Sequence, residues 1–369
     1  MKRIFLVCLF MLSFFFHLCG QTVVENPKKP KNPKTGRILK LKEVMSITDK
    51  GRDDYFFKRP GHLRITADGS LYIKDKEQLL KFSPDGQFIM NLYQKGQGPG
   101  EITSHFLFAL HHNDVFIWDF MDYHLIHYDS GGRIVEEHHF ENAGNMRSVL
   151  SLYKDFILFV KPAYLTAEKI KITGKMFDAD CEILIFSKSG ESRKVLAALP
   201  EKRYNFRLKG TAAAGGGTAT PLVATPNDDA SKIYVSHSEE YMIKVLDVKQ
   251  GKIVLSFTRE YPRVENKFRK KINPRFQMPP LPKYQNDIRD IYFNEGFIWV
   301  LTSTQDKNGR YLYDVFDIDG RYLDCFYLQE EPLALVKGKY LFFVEEDADG
   351  NIRIVKYENI DPFLYIKGR

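Results

Sequence analysis

A rhythm of short strands broken by Asp-Gly turns constrains this chain more than any other feature. In LRITADGSLYIKDKEQLLKFSPDGQFIMNLY, Leu63–Ala67 reads as a strand and Asp68-Gly69 as a hairpin turn. Ser70–Lys74 alternates with Leu71 and Ile73 on one face, and Asp75–Glu77 is a polar loop. Gln78–Ser83 is a third strand, Pro84–Gly86 a second turn and Gln87–Tyr93 a fourth strand. Asp-Gly between alternating runs is the strongest short hairpin signal, because its positive-φ geometry matches the twist of the flanking strands. Four antiparallel strands in about forty residues make one blade of a propeller.

The pattern recurs. Phe108–Phe140 is a second copy, Val149–Val160 with Glu182–Leu199 a third, Thr220–Tyr261 a fourth and Ile288–Leu328 a fifth. The sixth, Pro332–Ile360, has only three strands, while Arg37–Ile47 is a lone strand-like run ahead of the first copy. An N-terminal strand joining the last blade would close the ring and cover sheet edges that otherwise aggregate. The expected fold is therefore all-β, a six-bladed β-propeller over residues 37–369. Three insertions interrupt it, at about 164–180, 209–221 and 259–285. The second, KGTAAAGGGTATP, reads as a flexible small-residue loop. The third is basic and proline-rich, with room for a short helix over 264–271.

Ahead of the repeats, Lys2 and Arg3 precede an apolar run, Ile4–Leu18, which is too short to span a bilayer and fits a signal peptide over residues 1–20. Cleavage after Gly20 leaves Gln21 first, and residues 21–36 then form a basic, proline-rich linker. The alternative is lipidation at Cys19, with the bulky Leu18 standing where a small residue is usual. Export places the protein in the periplasm, on the cell surface or outside the cell. The formal net charge of +7 falls to +5 without Lys2 and Arg3. The excess is local, at residues 21–43 and 259–283, so a nucleic-acid partner is not expected. Beyond the signal region only Cys181 and Cys325 remain, two blades apart, and buried unbridged thiols are expected.

The loop KGQGPGE, Lys95–Glu101, follows the first copy. A phosphate loop would need Lys-Ser/Thr and a helix after it, but ITSHFLFAL reads as strand. The loop instead suits the crossing from an outer strand to the next inner strand, with three glycines for unusual backbone angles and Pro99 for stiffness. Together with LLKFSPDGQFIMNLYQ before it, and FIWVLTSTQDKNGRYLYDVFDIDGRYL later, this loop resembles the bacterial exported six-bladed β-propellers related to NHL-repeat proteins. That family carries Gly-x-Gly-Pro-Gly-Glu at the close of an early blade, and Gln97 fills the variable place. The resemblance implies the fold and a ligand- or protein-binding role, with lyases and lactonases a minority.

The role expected is a non-catalytic scaffold that binds a ligand or protein partner, an anionic one included, through one face of the ring. A monomer is expected. Contact residues expected at the channel mouth are His62, Arg64, Glu101, His105, Asp119, Arg147, His237 and Arg289. The alternative is a metal-dependent lyase or lactonase-like hydrolase. No cofactor is expected on the first reading; calcium or zinc, held by Glu101, Asp119, Asp122 and Glu239, belongs to the second. Seven of the ten histidines fall between His105 and His139. Neighbours on a strand point to opposite faces, so His111-His112 and His138-His139 each offer at most one ring to a common site. The acidic turns at Asp317–Gly320 and Asp347–Asn351 lack the downstream Glu of a calcium loop.

Overall fold

The Asp-Gly turns set the strand lengths. Gly69, Gly86 and Gly320 take φ of +88°, +86° and +78°, values that a side chain would strain. A computed structural model describes residues 22–32, 34–140, 146, 148–162, 174–190, 192–211, 214–267, 275–329, 331–332, 334–336 and 339–361. Among the described residues the regular elements are strands, and no α-helix forms.

Three N-terminal strands come first: β1 (Thr22–Asn26), β2 (Arg37–Ile38) and β3 (Leu41–Thr48). The first blade is β4 (Pro60–Ile65), β5 (Leu71–Asp75), β6 (Leu79–Phe82) and β7 (Phe88–Asn91). The second is β8 (Phe106–His111), β9 (Asp114–Asp119), β10 (His124–Tyr128) and β11 (Ile134–His139). The third is β12 (Ser148–Tyr153), β13 (Phe156–Lys161), β14 (Met176–Ser187) and β15 (Arg193–Leu208), with β16 (Ala214–Thr218) added outside β15. The fourth is β17 (Val223–Pro226), β18 (Lys232–Ser236), β19 (Ile243–Asp247) and β20 (Lys252–Arg259). The two-residue β21 (Phe276–Gln277) pairs back onto β15. The fifth blade is β22 (Ile288–Asn294), β23 (Phe297–Gln305), β24 (Tyr311–Asp317) and β25 (Tyr322–Leu328). The sixth is β26 (Ala334–Val336), β27 (Tyr340–Glu346) and β28 (Ile352–Asn359), completed by β3.

The innermost strands β4, β8, β12, β17, β22 and β26 follow one another in a circle, and β26 lies against β4. Between each neighbouring pair of blades sits an apolar cluster. Phe106, Phe108 and Ile117 join Tyr72 and Leu79 between the first two blades, and Trp118 joins Phe159 and Phe186 between the next two. The last cluster sets Ile47, Phe342 and Ile354 against Leu71, Ile73 and Phe82, so the final blade packs on the first. A strand flanked by blades on both sides must be apolar on both faces, which is why β5, β6 and β10 are almost wholly buried.

The run expected as one strand, Arg37–Ile47, divides at Leu39. β2 runs parallel to β25 of the fifth blade, whereas β3 pairs antiparallel with β28, Ile47 opposite Ile354. The segment expected as a linker also has a place in the sheets. β1 runs parallel to β20 of the fourth blade. The Asn26 amide then donates to Thr258 O and Gly320 O, and its Oδ1 accepts from Tyr322 N, stitching fourth blade to fifth. Arg37 grips the buried Asp324 through two contacts of 2.9 Å. Residues 22–48 thus form a strap around the outer rim of three consecutive blades.

The insertions also take more structure than expected. In the third blade β14 and β15 continue past the blade as a long hairpin, paired from Met176–Tyr204 to Phe186–Arg193. The glycine-rich segment expected as a loop supplies β16, with Gly215–Gly217 opposite Tyr204–Phe206. Their missing side chains are filled by those aromatics: a Cβ on Gly215 would stand 2.6 Å from the Phe206 ring. Residues 264–266 are not helical and Glu265 bridges to Tyr284, while the rest of the expected helix, 268–271, lies outside the described residues. Cys181 and Cys325 are buried and form no disulfide, on the third and fifth blades.

Candidate functional site: the upper face

The upper face, where the inner strands begin, carries the crossing loops. Lys95–Glu101 is tied to itself. Gly98 N–H donates to the Glu101 carboxylate at 2.7 Å, Gly96 N–H to Ile102 O at 3.2 Å, and the Tyr128 hydroxyl to Gly100 O at 2.9 Å. A Cβ on Gly96 would lie 1.8 Å from the Glu101 carboxylate, so this glycine makes room for that acid. Asp119, only 1% exposed, accepts from Thr103 N–H (2.6 Å), the Thr103 hydroxyl (2.9 Å) and Met121 N–H (3.0 Å). Glu101 and Asp119, expected at a ligand, thus hold the crossing loop between the first two blades.

Beside that loop opens a cleft of about 800 Å³, with His62 and His105 in its lining along with Lys58, Arg59 and Lys74. The buried Asp75 carboxylate shapes its entrance by accepting from Lys58 N–H (2.5 Å) and Arg59 N–H (2.8 Å). His62 faces Lys74 across β4 and β5, and Arg64 lies two residues further along β4 on the same side. Arg64 is exposed to solvent, on the innermost strand of the first blade. Burial lowers its guanidinium from the usual range, and no carboxylate among the described residues opposes this. Burial likewise lowers Lys74, whose ammonium donates to Phe106 O at 2.5 Å. Burial first, then Lys74 and Arg64, lower His62 and favour its neutral form. Arg64 and Lys74 are thus cations side by side on the first blade, while the cleft that Lys74 lines also carries Asp53, Asp54 and Glu77 and does not include Arg64.

The fifth blade supplies an acidic wall. A bulge between Ile288 and Asp290 turns the Asp290 side chain, and burial, aided by Glu331, pushes its carboxyl up to about 6. The Tyr292 hydroxyl donates to Glu331 at 3.1 Å, and the Arg289 guanidinium lies 4.4 Å over the Tyr311 ring, 3.8 Å from Glu331. Asp290 and Lys74 escaped the sequence reading; the signal was a charged pair at the start of an inner strand, Arg289-Asp290. Because Asp290 binds its proton more tightly folded than unfolded, stability falls as pH rises from about 4 to 6 and stays lower above. Below about pH 4 both states are protonated and the effect vanishes. Asp290→Asn is therefore expected to stabilise the protein by about 2 kcal/mol at pH 8 and scarcely at all at pH 4, as read by urea denaturation.

The other expected residues are dispersed. His237 donates to Pro200 O at 2.9 Å and accepts from Lys244 at 2.9 Å, in a separate hollow of about 500 Å³ with Arg263 and Asp287. Arg289 also borders a hollow of about 400 Å³ under the basic excursion, beside Tyr204 and Tyr284. Arg147 lies outside the described residues. The four acids expected around a metal do not converge. Glu101 and Asp119 hold the loop, Asp122 approaches His139, and Glu239 faces Arg263 at 3.9 Å. Among the described residues, Asp122, His124 and His139 are the group whose donor atoms do cluster. Burial, then the neighbouring His139 ring, lower His124 and favour its neutral form.

Six sheets in a circle, each packed on the next, match one known architecture, and residues 28–208 match the model of the DUF5128 family, described as a 6-bladed beta-propeller. The chain is a six-bladed β-propeller, similar over residues 28–208 to the DUF5128 family. Two solved structures agree in fold. A protein of Bacteroides fragilis described as exported aligns over 91% of this propeller and 99% of its own chain, at 15% identity and a TM-score of 0.51. A DUF4221 member from Bacteroides vulgatus aligns over 87% and 98%, at 10% identity and a TM-score of 0.53. A gluconolactonase from Xanthomonas campestris aligns over 89% and 97%, at 13% identity and a TM-score of 0.45. No curated protein matches the propeller.

Proposed function

We propose that the propeller is an exported, non-catalytic binding protein that takes an anionic ligand at the upper mouth of its channel. The observation that carries this reading is Arg64, an exposed guanidinium on the innermost strand of the first blade that pairs with no carboxylate among the described residues. Such a group is free to make a charge-assisted hydrogen bond to an anion. Lys74 and His62 stand beside it and line the neighbouring 800 Å³ cleft, which is large enough for a sugar acid or a short acidic peptide. Rigid strands hold these groups in place before the ligand arrives, which lowers the ordering cost of binding. The acidic wall at Asp290 and Glu331 orients the ligand, because an anion is repelled there while its hydroxyl or amino groups are accepted. The signal-like N-terminus supports export, as does the likeness to an exported protein.

The test is calorimetry on tag-free protein starting at Gln21, with glucuronate, oligogalacturonate and Asp/Glu dipeptides set against neutral sugars. Anionic compounds are expected to bind, with an affinity that falls as salt rises. Arg64→Ala is expected to weaken them by about 10- to 100-fold, the cost of one charged hydrogen-bonding partner. Equal binding of neutral and anionic compounds, or unchanged affinity in Arg64→Ala, contradicts the reading.

A further inference from the structure

The second blade holds a cluster that the anion site does not use. His124 opens β10 and His139 ends β11, and the two are direct cross-strand partners. Their rings stack 4.2 Å apart at 6°. Asp122, in the turn just before β10, brings Oδ2 to 3.8 Å from His139 Nδ1. One donor atom from each of the three lies within 4.8 Å of the other two. His124 is 4% exposed, and its buried Nε2 makes no hydrogen bond. Glu137 Oε2 stands 3.1 Å from that nitrogen but off the line a hydrogen bond requires.

A buried imidazole nitrogen without a hydrogen bond is costly, and here Glu137 stands 3.1 Å from it while a second imidazole stacks on its ring. We propose that Asp122, His124 and His139 bind a divalent cation of the zinc class. The donor set decides the class. Two imidazole nitrogens with carboxylate oxygens suit zinc and its first-row neighbours, whereas calcium takes six to eight oxygens. Tetrahedral bonds of about 2.0–2.1 Å need donors about 3.3 Å apart, and stacked rings aim their lone pairs along parallel planes, so on binding the cluster contracts and the His139 ring turns out of its stack on His124. The side chains that move are Asp122 and His139, which are 48% and 66% exposed; His124 is held by its burial. The cation pins the turn between β9 and β10 to the end of β11. This turn contains Phe120, whose ring lies 5.8 Å from His105 in the wall of the anion cleft.

The experiment is zinc titration of metal-stripped, tag-free protein by calorimetry, with cobalt spectroscopy as a second readout. One zinc per chain is expected, together with visible cobalt bands of a low-symmetry nitrogen–oxygen site. His139→Ala and Asp122→Asn, both at exposed positions, are each expected to weaken zinc at least about tenfold while leaving the melting temperature of the metal-free protein unchanged. His111→Ala, at the other close histidine pair, is expected to leave zinc affinity as it was. The absence of saturable zinc binding in the unmodified protein overturns the proposal. So does affinity that survives the His139→Ala/Asp122→Asn double variant or disappears in His111→Ala.

Discussion

Replacing Asp314 by alanine is expected to destabilise the propeller by about 3–5 kcal/mol, the usual cost of leaving a buried charge without its partner. Asp314 is fully buried on β24. It accepts from Arg259 Nε at 2.7 Å, the Tyr241 hydroxyl at 2.8 Å and the Tyr322 hydroxyl at 2.5 Å. Arg259, at the end of β20, is 6% exposed and lies within about 5 Å of the rings of Tyr241, Tyr261 and Tyr322. Burial alone would lower its guanidinium, but Asp314 and the two phenols outweigh this and hold it charged. Fourth and fifth blades therefore share one ion pair inside an aromatic cage. The double variant Arg259→Met/Asp314→Leu, which removes both charges and keeps volume, is expected to lose much less than Asp314→Ala. Urea denaturation of the three proteins measures this. Equal losses in the single and double variants would show that packing, not the uncompensated charge, sets the cost.

The second large effect concerns the strap. Ile47 is 3% exposed on β3, opposite Ile354 and packed with Phe82 and Phe342 where the sixth blade meets the first. Ile47→Asp is expected to cost at least about 4 kcal/mol. It removes the burial of a large aliphatic group and forces a carboxylate into an apolar seam. Val44→Asp, on the same strand but 43% exposed, is expected to change stability by less than about 0.5 kcal/mol. Hydrogen exchange should localise the loss. With Ile47→Asp the amides of β28, whose outer partner is β3, lose protection first, and with Val44→Asp they keep it. Similar protection in both variants would mean that β3 is dispensable to the sixth blade.

The blades were legible because their boundaries are local. Asp68-Gly69, Pro84–Gly86 and Asp317–Gly320 each mark a turn within reach of its own strands. The spare strand was legible by the same logic, since a three-stranded sixth copy needs a fourth. The strap's upstream part was not. Thr22–Asn26 is five residues long, Arg37–Ile38 only two, and each pairs with a strand more than two hundred residues away. Nothing local distinguishes such a segment from a linker. The loop-holding contacts of Glu101 and Asp119 were not legible for a related reason. An acid near a channel mouth looks available to a ligand until the backbone amides of Gly98 and Thr103 are seen to point at it. His124 and His139 lie fifteen positions apart and become neighbours only through the register of β10 on β11, which a bulge between His127 and Tyr128 shifts. Asp290 depends on a bulge as well. Strand existence follows from composition and turns, whereas the aim of a side chain depends on register, and a single extra residue changes it.

The account stands on an anion meeting Arg64 in the channel. A crystal of the protein soaked in sodium selenate, with the anomalous signal of selenium used to place the anion, tests this directly. The expected map has its strongest peak against the Arg64 guanidinium, between β4 and β8, and loses that peak in Arg64→Gln. A map with selenate on surface arginines and none at Arg64 would contradict it.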